Sequence, residues 1–142
     1  MKWNKGNIPQ GEIEVKVTPA SVKYAEDFGK YLAKTEQEDT IDKQGKRKTN
    51  RFAAFTTSQL RKFFGEVKRQ QMEGFNETDF ILLKPKLAYA VGRAKDPNAK
   101  INDFYLVIAN AIDRVKNEKQ FKNFIQIFEA IVAYHKAAEE SK

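Results

Sequence analysis

Residues 118–138, EKQFKNFIQIFEAIVAYHKAA, decide the fold class of this 142-residue chain. Apolar side chains recur there every three or four positions, which is the spacing of one face of an α-helix. That face holds Phe121, Phe124, Ile125, Phe128, Ile131, Val132 and His135. The stretch therefore predicts a long amphipathic helix whose apolar side is buried in a core.

Three further helices are predicted in the middle of the chain. The sequence TTSQ at 56–59 has the capping-box pattern, a hydroxyl residue followed three positions later by Gln, so a helix begins there. A second helix covers 78–94 and contains Pro85, which either kinks it or begins its main segment after a short turn at 78–83. A third helix covers about 102–116. The short loops between these helices predict antiparallel packing in a bundle.

The N-terminal part of the chain gives weaker signals. Residues 1–18 are polar and contain helix-breaking Gly and Pro, so we predict an extended arm, and a helix follows over about 19–35. Residues 35–51 are polar throughout and are predicted to be a loop or disordered linker. We expect an all-α fold, a compact bundle of about five helices with a flexible N-terminal arm. The arm, one helix and the linker would form residues 1–45, and the bundle domain would form residues 46–142.

The charge of the chain is concentrated in its middle. The net charge is +7, yet 13 Lys or Arg and only four Asp or Glu lie between Lys43 and Lys95. The remainder of the chain holds 13 basic and 15 acidic residues. A localised excess of this kind is the electrostatic pattern expected of a surface that binds phosphate groups.

The sequence offers little to a catalytic mechanism. It contains no cysteine, and its one histidine, His135, falls on the core-facing side of the last predicted helix. Its acidic residues and its seven glycines form no metal-ligand or phosphate-loop pattern. We therefore expect a non-enzymatic protein without a metal ion or cofactor. No signal-peptide pattern or membrane-spanning stretch is present, so we expect a cytoplasmic protein without a membrane partner.

The basic residues give the clearest indication of function in this sequence. A basic run precedes the helix that begins at TTSQ, and seven-residue pairs of cations then stack along helix faces. These residues are Lys46, Arg47, Lys48 and Arg51, the pairs Arg61/Lys68 and Lys62/Arg69, and the pair Lys86/Arg93 with Lys84 nearby. Such rows attract backbone phosphates through Coulomb forces and counterion release. Most aromatic side chains fall at core positions instead, and only Phe52 and Phe55 lie beside the basic run.

Three stretches resemble one known family, the small helical subunit of type III-A CRISPR effector complexes, also called Csm complexes. They are FTTSQLRKF at 55–63, LKPKLAYAVGR at 83–93 and FIQIFEAIVAYHK at 124–136. Their order and spacing fit the family, and the resemblance covers about residues 46–136. Residues 1–45 resemble nothing that we can name.

The resemblance implies a non-catalytic subunit of a ribonucleoprotein in antiviral defence. Several copies would stack along the inside of the complex, in contact with one another and with its backbone and large subunits, and would face the duplex of crRNA and target RNA. On the matched motifs, the implied RNA-binding residues are Arg61, Lys84, Lys86 and Arg93, with Lys48 and Arg51 from the basic run. A structural adaptor that binds acidic protein surfaces without touching RNA is the alternative.

Overall fold

A computed structural model describes residues 3–140 of the chain. These residues form five helices of 12 to 23 residues, one helix of five residues and a two-stranded hairpin. The elements in chain order are α1 (Pro19–Leu32), β1 (Glu36–Ile41), β2 (Arg47–Phe52), α2 (Thr57–Glu73), α3 (Glu77–Ile81), α4 (Leu83–Ala94), α5 (Ile101–Arg114) and α6 (Glu118–Glu140). The prediction of a mostly helical protein is confirmed.

Helix α6 is the centre of the core. Its predicted apolar face is buried, and it packs along α1 and against α2. The approach to α1 is closest at Gly29, where a Cβ atom would lie 2.7 Å from the backbone nitrogen of His135. His135 is itself completely buried, and its Nε2 lies 2.5 Å from the carbonyl oxygen of Phe55.

The predicted starts and ends of the central helices agree with the structure. Thr56 and Gln59 form the capping box that the sequence predicts, each side chain bonding the backbone of the other. The segment predicted as one helix over 78–94 is divided at Leu82 into α3 and α4, and Pro85 lies in the first turn of α4. Between residues 3 and 140, no helix is long and apolar enough to cross a bilayer.

Residues 3–18 do not form the flexible arm that we expected. Ile8 and Ile13 are buried with Trp3 in the common core, and the Trp3 ring lies 4.8 Å from that of Phe28. Arg114 fixes this segment by donating to the carboxylate of Glu14 and to two backbone carbonyls, those of Ile8 and Pro9. The prediction failed because Gly and Pro make backbone bends here, whereas three scattered apolar side chains supply the burial.

The predicted linker at 35–51 is instead an antiparallel hairpin, so the fold is not strictly all-α. The strand β1 (EQEDTI) carries three acidic residues and β2 (RKTNRF) three basic residues, and the register places Asp39 beside Thr49. Opposite charges on facing strands stabilise such a pair. The turn is held by Asp42, whose carboxylate accepts from the backbone N–H groups of Gln44 and Lys46. Gly45 supplies the left-handed conformation, with φ of 76°.

Lys100 attaches the base of the hairpin to the helices. Its side chain is completely buried, and its ammonium group donates to the carbonyl of Tyr31 and to the carboxylate of Glu36. Its backbone N–H donates to Ala53, directly after β2. The division predicted at residue 45 falls within the hairpin turn, and buried residues from both sides of it share one core.

Candidate nucleic-acid interface

A concave surface lies between α2 and α4, and we call it the α2–α4 groove. Its volume is about 590 Å³. Five buried apolar side chains form its floor: Phe55, Phe63, Leu83, Leu87 and Ile101. Because this floor is buried, the solvent-facing lining is formed by side chains at its edges, among them the exposed ring of Tyr89. Concave surfaces of this kind often serve binding.

One ion pair crosses the groove. The ammonium of Lys86 on α4 lies 3.0 Å from the Glu66 carboxylate on α2. Glu66 also accepts two hydrogen bonds from Arg69, and these, with Lys86, lower the pKa of Glu66 to about 2. Glu66 therefore remains ionised at neutral pH and fixes Lys86 at one end of the groove.

Two other cations on the groove have no carboxylate partner among the described residues. Lys62 lines the α2 side and Arg93 the α4 side, and both are exposed. The Arg93 guanidinium lies 5.9 Å from the centre of the Tyr89 ring, which is 69% exposed and also lines the groove. Three cations against one carboxylate make the groove a basic surface with an apolar floor.

A smaller recess of about 440 Å³ continues the groove toward the hairpin. It shares Gln59, Ala94 and Ile101 with the groove, and Ala53 and Ala54 extend it to the residues that follow β2. The concave surface thus leads from Lys86 to the residues that follow β2.

The structure brings together two of the four helix residues that the resemblance implied. Lys86 and Arg93 both line the α2–α4 groove. Lys84 is on another side of α4, where its ammonium lies 2.7 Å from Asp113 of α5. Arg61 is exposed but does not line the groove, because a one-residue step turns a helix by about 100° and places Lys62 there instead.

The two predicted residues of the basic run lie on opposite faces of the hairpin. Lys48 and Arg51 are three positions apart in β2, and successive side chains of a strand point to opposite faces. Both are exposed. Had residues 35–51 been a loop, the pair could have faced one ligand. As a strand, β2 instead presents Arg47 and Arg51 on one face and Lys48 on the other.

Sequence reasoning did not select two residues that line the groove, Lys62 and Tyr89. Lys62 was placed in a stripe with Arg69, but Arg69 is held by ion pairs to Glu66 and Glu73. Carboxylates three residues before and four residues after an Arg on a helix can both pair with it, so this spacing indicated that Arg69 is not available to a ligand. Tyr89 lies within the motif at 83–93, and its position opposite the buried Leu87 on α4 could have marked it as exposed.

No group of three or more His, Cys, Asp or Glu side chains that could hold a metal ion occurs within residues 3–140. Glu12 is a buried carboxylate, yet it has a structural task. It accepts hydrogen bonds from Thr18 and Ser21 at the start of α1. Burial raises the pKa of Glu12, but these hydrogen bonds outweigh it and the pKa is lowered overall.

Comparison with known proteins assigns the sequence of this chain to a family. The family model described as Csm2 Type III-A matches residues 34–141. Searches of curated proteins and of solved structures gave no match. The family match begins just before β1 and includes the hairpin, both walls of the α2–α4 groove and α6. The chain therefore belongs to the Csm2 family of type III-A CRISPR effector complexes and is a small subunit of such a complex.

Proposed function

We propose that this subunit binds the duplex of crRNA and target RNA through the cations of the α2–α4 groove, without catalysing a reaction. The observation that carries the proposal is the grouping of Lys62, Lys86 and Arg93 around one concave surface, within the basic middle of the chain. Two of the three have no carboxylate partner in the described part of the chain, so phosphate groups are their natural counterions.

The physical basis is electrostatic. A phosphate contact made by Lys or Arg releases condensed counterions from the nucleic acid, and this release dominates sequence-independent affinity. An A-form duplex shows few sequence features to a protein, so a subunit of this kind would recognise backbone and shape. Pairing with the guide RNA would supply sequence specificity.

The proposal includes the setting in which the site works. Within a cytoplasmic ribonucleoprotein for antiviral defence, the chain would contact other copies of itself and the backbone and large subunits. Arg61, Lys84, Lys48 and Arg51 remain proposed RNA contacts on surfaces outside the groove. Arg61 has no carboxylate partner among residues 3–140, whereas Lys84 would have to leave Asp113.

A salt titration tests this function. We would measure the affinity of the whole chain for a short RNA duplex across a range of KCl concentrations by fluorescence anisotropy. Lys62→Ala with Arg93→Ala should lower the slope of log affinity against log salt by about two units, because each lost phosphate contact removes roughly one. Arg61→Ala, measured separately, tests a contact outside the groove.

The matched control is Lys119→Ala with Lys122→Ala, which removes the same charge from exposed positions of α6. Equal weakening by the control would show an effect of net charge and would refute the groove as the binding site. If neither pair changes the affinity, the structural adaptor that binds acidic protein surfaces becomes the better explanation.

A further inference from the structure

Phosphate binding does not explain the aromatic ring of Tyr89, which is largely exposed on the α2–α4 groove. A duplex presents phosphates, sugars and the edges of paired bases to a protein, while the apolar faces of its bases are stacked inside. The Tyr89 ring would therefore gain little from a regular duplex. A ligand that uses both this ring and the cations of the groove must combine an apolar surface with negative charge.

The cations are spaced along the groove rather than gathered at one point. Lys86 and Arg93 are seven residues apart on α4, which is about 10.5 Å along a helix. Tyr89 lies between them on the same helix, largely exposed, with its ring beside the Arg93 guanidinium. An aromatic ring between two cations is the arrangement with which proteins stack a base and hold the phosphates on either side of it.

We propose that the α2–α4 groove receives a nucleobase of RNA that is unstacked from its neighbours. The base stacks on Tyr89 above the apolar floor. Lys62 and Arg93 bind the adjoining phosphates, and Lys86 joins them when it leaves Glu66. The recess that leads to the hairpin takes the next nucleotide. This inference rests on the proposed function, because it takes RNA to be the ligand, and it names the form of RNA that the site prefers.

The lining of the groove favours a nucleotide over an acidic helix of a protein partner. A helix that binds in a groove packs several apolar anchors against exposed apolar side chains, whereas the floor side chains here are already buried. The Lys86–Glu66 ion pair also crosses the groove at one end and obstructs a rod that would lie along it. The groove volume of about 590 Å³ is ordinary for a small-molecule pocket.

The test compares RNA with and without its bases. We would measure binding of the whole chain to an eight-residue oligouridylate and to the same backbone with abasic riboses. One stacked base contributes about 1–3 kcal/mol, so we expect the intact probe to bind about 5-fold to 150-fold more tightly. Tyr89→Ala should abolish most of this ratio, while Tyr89→Phe should retain it, because the phenylalanine ring can still stack.

The matched control is Met72→Ala, which truncates another exposed apolar side chain of the basic region, on α2 outside the groove. It should leave the ratio unchanged, and circular dichroism confirms that each variant is folded. Equal, salt-dependent binding of both probes would overturn the base-binding inference while leaving the proposed function intact. Failure of every RNA probe to bind, duplex included, would instead refute the proposed function.

Discussion

The two sides of the helix bundle are built in opposite ways. On the α1–α6 side the backbones approach so closely that a Cβ at Gly29 would lie 2.9 Å from the carbonyl oxygen of Ile131. On α2, which forms one wall of the groove, the exposed Gly65 has nothing within 4 Å of its would-be Cβ. The difference indicates that the first side supplies stability, while the second keeps a concave surface open to a ligand.

The largest change in the free energy of unfolding should come from adding one methyl group on the α1–α6 side, where the helices are in close contact. Gly29→Ala forces α1 and α6 apart, because the new Cβ meets backbone atoms that cannot rotate away, and we expect a loss of about 2–3 kcal/mol. Gly65→Ala on the open side should instead stabilise by about 0.5–1 kcal/mol, through a less flexible unfolded chain. Urea unfolding of both variants measures the contrast, and equal effects would contradict it.

Acid should weaken the attachment of the N-terminal segment to α5 through Glu14. Hydrogen bonds from Arg114 lower the pKa of Glu14 from its ordinary 4.5 to about 2. A carboxylate with a lowered pKa stabilises the fold above its unfolded pKa, so this contribution is lost as the pH falls from about 4.5 toward 2. Because Glu14 is about one-third exposed, we expect only about 1 kcal/mol.

The check is a series of urea unfolding curves between pH 6 and pH 3 for the native chain and for Arg114→Ala. The variant should be less stable at pH 6 and should lose less stability on acidification. Parallel curves would show that the Glu14–Arg114 pair does not contribute to acid sensitivity.

The smallest effect on stability is expected on the open side. Lys62→Ala with Arg93→Ala truncates two exposed side chains that hold no carboxylate within the described residues, so the free energy of unfolding should change by less than about 0.5 kcal/mol. The same pair is expected to weaken RNA binding. A thermal melt that shows a loss of stability above about 1.5 kcal/mol would contradict the view that the α1–α6 side supplies stability and the α2–α4 side supplies binding.

Sequence reasoning succeeded where one helix carries its own signal. The apolar spacing of α6 and the Thr56–Gln59 capping box are local patterns, and both appear in the structure as predicted. The hairpin was missed because its strands contain almost no apolar alternation and are stabilised by charge across the pair. The opposite signs of EQEDTI and RKTNRF, with Asp42 and Gly45 between them, were the available signal.

The candidate site was predictable in part. Lys86 and Arg93 share one side of α4 by their spacing, and the structure places both on the groove. The choice between Arg61 and Lys62 depends on how α2 is rotated against its neighbours, which tertiary packing determines. The groove itself arises from the way α2 and α4 are placed relative to each other, and no pattern within either helix encodes that placement.

The burial of Lys100 offers a way to measure how often the hairpin separates from the helices. Alone among the described lysines, Lys100 is completely buried, held by Tyr31 and Glu36 at the base of the hairpin. An amine-reactive reagent can therefore modify the other described lysines in the native protein but reaches Lys100 when the hairpin separates from the helices. The labelling rate of this single residue, read by mass spectrometry, would time that separation in the free chain and in the assembled complex without any engineered label.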